Sequence, residues 1–387
     1  MPPAAARNFH ERPLLVFWET TKACPLVCKH CRASAVTQPL PGELTTDEAA
    51  RFLDGLREFG PPPPILVLTG GDVMCRDDLF EVLDRAREHR LPATLAPAVS
   101  DRLTERAFRD FLEAGVKTIS ISLDGEKSAH EQIRGIPGHL QRTVDAIRSA
   151  VACGLRVQVN TCVMRENVAD LPAVFERLGD LGVSAWEVFF LIQTGRGTDV
   201  KDLAPEECEA VAHFLYDASC RGLVVRTVEA PFFRRVVLER EGGGAPPQTP
   251  LYRALASGFE PPGDPPRCLA QSAGTRDGHG IVFVAHDGAI APGGFLPIPC
   301  GNVRTDSVCR VYRDHPLFLA LRAPERFGGR CGVCEYRDVC GGSRARAFAR
   351  YGDPLREDPA CAYVPRVPVG GADMVRLTAS HRPPGTE

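Results

Sequence analysis

Between Leu14 and Gly222, short apolar runs alternate with amphipathic segments six times over. The runs predict strands over Leu14–Thr20, Ile65–Thr69, Ala93–Ala96, Thr118–Leu123, Val157–Val163 and Trp186–Ile192. Helical periodicity predicts helices over Thr46–Phe59, Asp78–His89, Thr104–Ala114, Leu140–Cys153, Leu171–Leu181 and Pro205–Arg221. Thr45 followed by Asp47 and Glu48 reads as a cap with acidic residues at the positive end of the helix dipole. Gly60, Gly115, Gly154 and Gly182 each close a helix before the next strand. Such alternation builds a parallel sheet with its helices outside. Six units make this an α/β chain folded as an open, partial (β/α)6 TIM-like barrel. Functional sites in such folds lie at the C-terminal ends of the strands.

After Arg240 the pattern breaks. The stretches EGGGAPPQTP and EPPGDPP read as an irregular bridge. From Cys268 to Cys361 helical signals are few and cysteines, glycines and prolines abundant, so this part needs a metal to hold it. The expected divisions are an arm (1–13), the barrel (14–240), the bridge (241–267), a cysteine-rich extension (268–365) and a flexible tail (366–387).

The net charge of −3 gives no electrostatic basis for binding nucleic acid. No apolar run is long enough to span a membrane, and the N-terminal apolar segment is too short for a signal peptide. The expectation is a cytoplasmic protein with neither nucleic acid nor membrane as partner. Disulfides are rare in that compartment, so the fifteen cysteines point to metal.

Cys24, Cys28 and Cys31 stand as CxxxCxxC directly after the first strand. Three thiolates are too few for a closed zinc site, which takes four ligands. They suit a cubane iron–sulfur cluster with one iron left open to a chelating amine and carboxylate. This spacing resembles the signature of the radical S-adenosylmethionine (SAM) enzymes. The resemblance implies a 4Fe-4S cluster whose open iron binds SAM, and a 5'-deoxyadenosyl radical that takes hydrogen from a substrate. Other matches sit where such a barrel needs them. Gly70-Gly71-Asp72 follows the second strand like the family's GGE/GGD motif, which implies that the Asp72 carboxylate receives the SAM ammonium. SISLDG ends the fourth strand, which implies that Ser122 and Asp124 contact SAM. Ile133-Arg134-Gly135 follows it, and LIQTGRG, with Arg196, ends the sixth strand beside the expected adenine position. Val73 stands where many relatives carry proline after GGE/D, so the loop shape is open to difference there.

A second set comprises Cys331, Cys334, Cys340 and Cys361. By spacing alone it suits either zinc or a closed cluster. The stretch resembles the C-terminal SPASM or twitch-type extension, which implies one auxiliary 4Fe-4S cluster. A full SPASM domain holds two, but Gly341-Gly342-Ser343-Arg344 lacks the further cysteine the other would need. Cys268 and Cys300 are therefore expected as structural thiols, the alternative being a fourth-ligand or hydrogen-donor role. Cys153, Cys208 and Cys220 in helices and Cys162 in a strand read as buried spacers. Cys309 falls in a short expected helix. Cys75 in the GGD loop is a weak candidate hydrogen donor, against the plainer role of a packing residue.

From Leu14 to Pro365 the chain resembles the subgroup related to heme d1 and alternative heme biosynthesis enzymes. That implies removal or shortening of acidic side chains on an iron tetrapyrrole, with a flavodoxin or ferredoxin as electron donor. Arg134 and Arg196 are candidates to pair with carboxylates. His279, His286 and His315 are the histidines in or near the extension. The alternatives are a peptide-modifying maturase, a natural-product-modifying enzyme, and a zinc-stabilised binding protein without catalysis.

Overall fold

A computed structural model describes residues 8–258, 268–270 and 274–366. The tail, most of the arm and the end of the bridge lie outside the described residues, apart from Arg366. Strand β1 (Leu15–Glu19) is followed by α1 (Thr46–Gly55), β2 (Ile65–Thr69), α2 (Leu79–Glu88) and β3 (Ala93–Leu95). Next come α3 (Glu105–Glu113), β4 (Thr118–Ser122), α4 (Lys127–Arg134), α5 (His139–Ala152) and β5 (Arg156–Val163). Helix α6 (Leu171–Leu181), β6 (Ala185–Phe190), α7 (Pro205–Ser219) and β7 (Val225–Val228) complete the repeating part. Strands β1 to β7 pair in chain order and all in parallel.

Local chemistry explains the boundaries. The Thr45 hydroxyl accepts the Glu48 N–H while the Glu48 side chain reaches back to the Thr45 N–H, a complete capping box. Gly60, Gly115, Gly154 and Gly182 all take positive φ at the helix exits, a conformation other residues resist. The expected helix over Thr46–Phe59 departs from the α form at Leu56, where its last turn tightens to a 3₁₀ turn.

Alternate strand residues fill the layer between sheet and helices. Val16, Trp18, Leu66, Leu68, Ile119, Ile121, Val159 and Val188 are completely buried, and Trp18 meets Phe52 of α1 edge-on. The residues between them, including Thr69, Ser120, Ser122, Gln158, Asn160, Cys162 and Glu187, are only half-buried and line the inner, concave face. The sheet is thus greasy outside, while its inner face is apolar at Leu15, Phe17, Ile65 and Val67 of β1 and β2 and polar along β4 and β5, a lumen of mixed character.

After α8 (Phe233–Glu241) the bridge is not wholly irregular: Thr249 caps helix α9 (Pro250–Ala256). The extension then forms β8 (Arg276–Asp277), β9 (Gly280–Val284), β10 (Ala289–Ala291) and β11 (Gly301–Asn302). Short helices follow: α10 (Val308–Asp314), α11 (Pro316–Leu321), α12 (Gly329–Val333) and α13 (Arg344–Tyr351). Strand β9 pairs with β1 in parallel, Leu15 opposite Ile281 through Trp18 opposite Val284. The extension therefore continues the barrel sheet. No helix among the described residues is long and apolar enough to cross a membrane.

Two expected thiols are corrected. Cys220, at the end of α7, and Cys268 form a disulfide. The segment from Cys268 runs beside that helix end, with the Leu269 N–H bonded to the Ser219 carbonyl at 2.8 Å. Cys300 remains a thiol, pushed up to about 11 by burial.

Candidate active site at the barrel mouth

Beyond β1 the chain keeps its pairing with β2. The Thr20 N–H reaches the Thr69 carbonyl at 2.8 Å, Gly71 N–H reaches Thr21 at 2.8 Å, and Asp72 N–H reaches Ala23 at 2.7 Å. The GGD loop is thereby bonded to the start of the cysteine loop. A Cβ on Gly71 would collide with the Ala23 carbonyl, and one on Gly70 with that of Thr21. The glycines are needed for this approach. Gly71→Ala is expected to displace the loop and to lower the iron bound per chain by at least half, measured by iron analysis after anaerobic reconstitution.

The three cysteines that follow are neighbours. Cys24 and Cys28 are buried in one small cluster, with Cys31 packed against it. Each sulfur receives a donor: Leu26 N–H to Cys24 at 3.4 Å, Arg134 Nη1 to Cys28 at 3.5 Å, and Ala35 N–H to Cys31 at 3.5 Å. Burial pushes the Cys24 thiol up to about 12, and Asp72, Cys28 and Cys31 add to the same effect. Positive charge from a bound cluster would reverse that and keep the thiols ionised. N–H donors on every sulfur are the surroundings that tune cluster thiolates, so these residues fit an iron–sulfur cluster.

The other expected site residues converge on this loop. Arg134, the last residue of α4, pairs with Asp124 at 2.5 Å while also reaching Cys28. Asp124 is sealed from solvent and accepts the Cys162 N–H at 2.8 Å. Burial pushes its carboxyl up, but Arg134 and His30 outweigh this and hold it below the usual range. His30, between two cluster cysteines, is depressed to about 4 by burial. Arg196 donates to the carbonyls of Cys28 at 2.9 Å and Ala35 at 2.7 Å. Its own N–H reaches the Cys31 carbonyl at 3.0 Å. Asp72 is fully buried and accepts from Met74 N–H, Ala98 N–H and the Ser100 hydroxyl at 3.1, 3.2 and 2.8 Å. About one of its four lone-pair positions is left for a further donor. Ser122 is half-buried on the inner face, opposite Asn160 in register. Cys75 lies in a 3₁₀ turn, its thiol raised by burial and then by Asp72.

Sequence reading missed the inner wall. Gln158 Nε2 donates to Glu187 at 2.8 Å and to Asn160 at 2.9 Å, and Arg226 reaches Gln158 at 3.3 Å. Burial holds the Glu187 carboxyl above its usual range despite Arg226. At the β1 corner Glu19 accepts from Arg32 at 2.8 Å and meets His286 at 3.0 Å. Burial raises the Glu19 carboxyl, but His286 and Arg32 lower it by more. The polar residues at alternate positions in VQVNTCV and AWEVFF were the signal for this wall.

The second cysteine set has similar surroundings. Cys331 accepts the Asp358 N–H at 3.3 Å and Arg344 at 3.6 Å, Cys334 the Tyr336 N–H at 3.4 Å, and Cys340 the Gly342 N–H at 3.5 Å. Cys361 is held by a backbone bond from Tyr363. Gly341 and Gly342 have positive φ, and a Cβ on Gly342 would stand 2.9 Å from the Cys331 sulfur. Where a full extension would carry another ligand, this chain has a tight glycine turn. Among the described residues no His, Cys, Asp or Glu side chains are drawn in threes to the spacing of a single ion.

Comparison with known proteins agrees with this geometry. The Radical SAM superfamily model matches residues 18–178, from within β1 into α6. An AdoMet-dependent heme synthase of Oleidesulfovibrio alaskensis is 36% identical over 356 residues, covering 91% of this chain and 88% of the relative. The pre-heme d1 synthase of Dinoroseobacter shibae is 29% identical, covering 97% of this chain and 92% of that protein. Crystalline Streptococcus suis SuiB bound to its precursor peptide SuiA superposes with a TM-score of 0.68 over 91% of this chain and 76% of SuiB. At 13% identity that likeness shows the fold alone. Membership implies SAM and a 4Fe-4S cluster as cofactors. With its cysteine loop gripped from the ends of β2, β4 and β6, and its likeness to a heme synthase running nearly end to end, the chain belongs to the radical SAM enzymes, in their heme-synthesis subgroup.

Proposed function

We propose that this enzyme oxidatively decarboxylates a propionate side chain of an iron tetrapyrrole. The observation that carries this is the 36% identity to a heme synthase across 91% of the chain, which takes in barrel and extension alike. Cys24, Cys28 and Cys31 hold the SAM-binding cluster, and Cys331, Cys334, Cys340 and Cys361 hold one auxiliary 4Fe-4S cluster. When bound, the first cluster and SAM supply a 5'-deoxyadenosyl radical that takes a hydrogen atom from the propionate. That hydrogen ends in 5'-deoxyadenosine, carbon dioxide leaves, one electron passes to an oxidised acceptor, a role that suits the auxiliary cluster at Cys331, Cys334, Cys340 and Cys361, and a vinyl group remains. The electron that starts the reaction comes from a flavodoxin- or ferredoxin-type carrier.

The chain's own residues bind and exclude. Gly70, Gly71, Asp72, Ser122, Asp124 and Arg196 shape the SAM side of the mouth. Arg226, bonded to Gln158 and acting on the Glu187 carboxyl, brings positive charge to the inner wall. The buried layer behind the strands keeps water from the lumen.

The test is anaerobic reconstitution, reduction with dithionite, and incubation with SAM and iron coproporphyrin. The expected result is 5'-deoxyadenosine together with a tetrapyrrole lighter by carbon dioxide and two hydrogens per side chain. Iron coproporphyrin returned unchanged while 5'-deoxyadenosine accumulates would overturn the proposal.

A further inference from the structure

Resting on the tetrapyrrole reading above, we infer that His286 is the protein ligand to the substrate's iron, with Glu19 as its orienting carboxylate. Glu19 ends β1 and His286 stands just past the end of β9. The two strands pair in parallel, Trp18 opposite Val284, so both residues emerge at the same mouth. Val16, Trp18, Val282 and Val284 are fully buried on the helix side. Strand alternation therefore turns Phe17, Glu19 and Phe283 to the inner face.

His286 Nδ1 lies 3.0 Å from one Glu19 oxygen, and the other oxygen accepts from Arg32 at 2.8 Å. A carboxylate on Nδ1 fixes the tautomer with the proton there and leaves the Nε2 lone pair free. Nε2 makes no hydrogen bond among the described residues, and it is not sealed from solvent, unlike Nδ1 of His30, His213 and His279. A histidine with one nitrogen bound to a carboxylate and the other open is the usual arrangement for a metal ligand. The other histidines near the extension lack it. Burial and neighbouring cations depress His279 to about 3, and His315 Nδ1 caps α11.

The surroundings suit a flat aromatic plate. The Arg32 guanidinium lies 4.9 Å from the centre of Phe283 and 6.0 Å from that of Phe295, which is 6.3 Å from Phe189. Arg32 is held by Glu19 and by the Gly294 carbonyl at 3.2 Å, and Phe283 beneath it is buried, so the half-buried rings of Phe189 and Phe295 are the ones that offer an apolar face to a macrocycle. A general-base role has no use here, because the proposed step removes a hydrogen atom and carbon dioxide and leaves no proton for a base to take.

The test titrates the full-length reconstituted protein with ferric coproporphyrin and, separately, with metal-free coproporphyrin. The wild-type protein is expected to shift the Soret band and give the electron paramagnetic resonance of nitrogen-ligated iron. His286→Ala is expected to lose that signature, to regain it with added imidazole, and to bind metal-free coproporphyrin as the wild type does. Glu19→Gln should weaken ferric coproporphyrin binding about 10-fold. If His286→Ala fails to fold, His286→Gln, which keeps a donor toward Glu19, is expected to lose the same signature. An unchanged iron spectrum in a folded His286 variant overturns the ligand assignment alone. A wild-type protein that binds neither coproporphyrin overturns the tetrapyrrole reading, and the assignment with it.

Discussion

Alanine at Cys24, Cys28 or Cys31 is expected to abolish 5'-deoxyadenosine formation, whereas alanine at Cys331 leaves a measurable fraction of it. The difference follows from ligand number. A cubane held by three sulfurs has no spare: losing one leaves two anchors for four irons, and the chelating corner for SAM is lost with the cluster. The second set has four sulfurs and stands on a different part of the chain, around α12 and α13. Its loss is expected to remove one cluster's share of iron and absorbance while the barrel still cleaves SAM. The readouts are 5'-deoxyadenosine by chromatography, and iron, sulfide and zinc by elemental analysis. Zinc at Cys24, Cys28 and Cys31 in anaerobically purified protein, or full SAM cleavage in the Cys28→Ala variant, would refute the assignment.

Arg134→Leu is expected to be among the most destabilising single changes in the barrel. Its side chain is 12% exposed and that of its partner Asp124 is 1% exposed. Removing the cation leaves a sealed carboxylate whose neighbour His30, 3.6 Å away, is held neutral by burial and gives it no counter-charge. Breaking a buried pair in this way costs about 3–5 kcal/mol, read as a fall in unfolding midpoint under denaturant. The double variant Arg134→Leu/Asp124→Asn should recover most of that loss, since no buried charge is stranded. It should not recover the cluster's spectrum, because the donor to Cys28 is still missing. Equal destabilisation in the single and double variants would show that the ion pair is not the cause.

Much of the barrel is legible because its signals are local. Ile65–Thr69 and Leu171–Leu181 are bounded as expected, the first by its apolar run and the second by Pro172 at its start and Gly182 at its end. Helix α4 was missed because it is short and buries only His130 and Ile133, too little for a periodic pattern. Strand β7 is four residues long, and the apolar run Leu223-Val224-Val225 that follows Gly222 is cut short by Arg226 and Thr227, too brief to stand out as a strand. The β9–β1 pairing joins Ile281 to Leu15, and the disulfide joins residues 48 apart. Neither leaves a trace in any short window of sequence. The cysteine trio was legible because its three members must come from one loop. Their hold by Arg134, Arg196 and the GGD backbone was not, since each bond is set by how strands far apart in the chain line up. The lumen wall failed to register for another reason: single polar residues such as Glu187 were absorbed into apolar runs.

The place of β9 beside β1 bears on how such a chain can be divided. Without β9, the outermost strand of the barrel would be β1, with unpaired N–H and C=O groups on the side now covered. A bare, flat, apolar rim of that kind recruits strands from other molecules. The rim in question belongs to the strand that delivers the cysteine loop. The cysteine-rich half thus shields the most vulnerable margin of the half that carries out the radical chemistry, and any exchange of extensions between such enzymes would have to supply a replacement strand there.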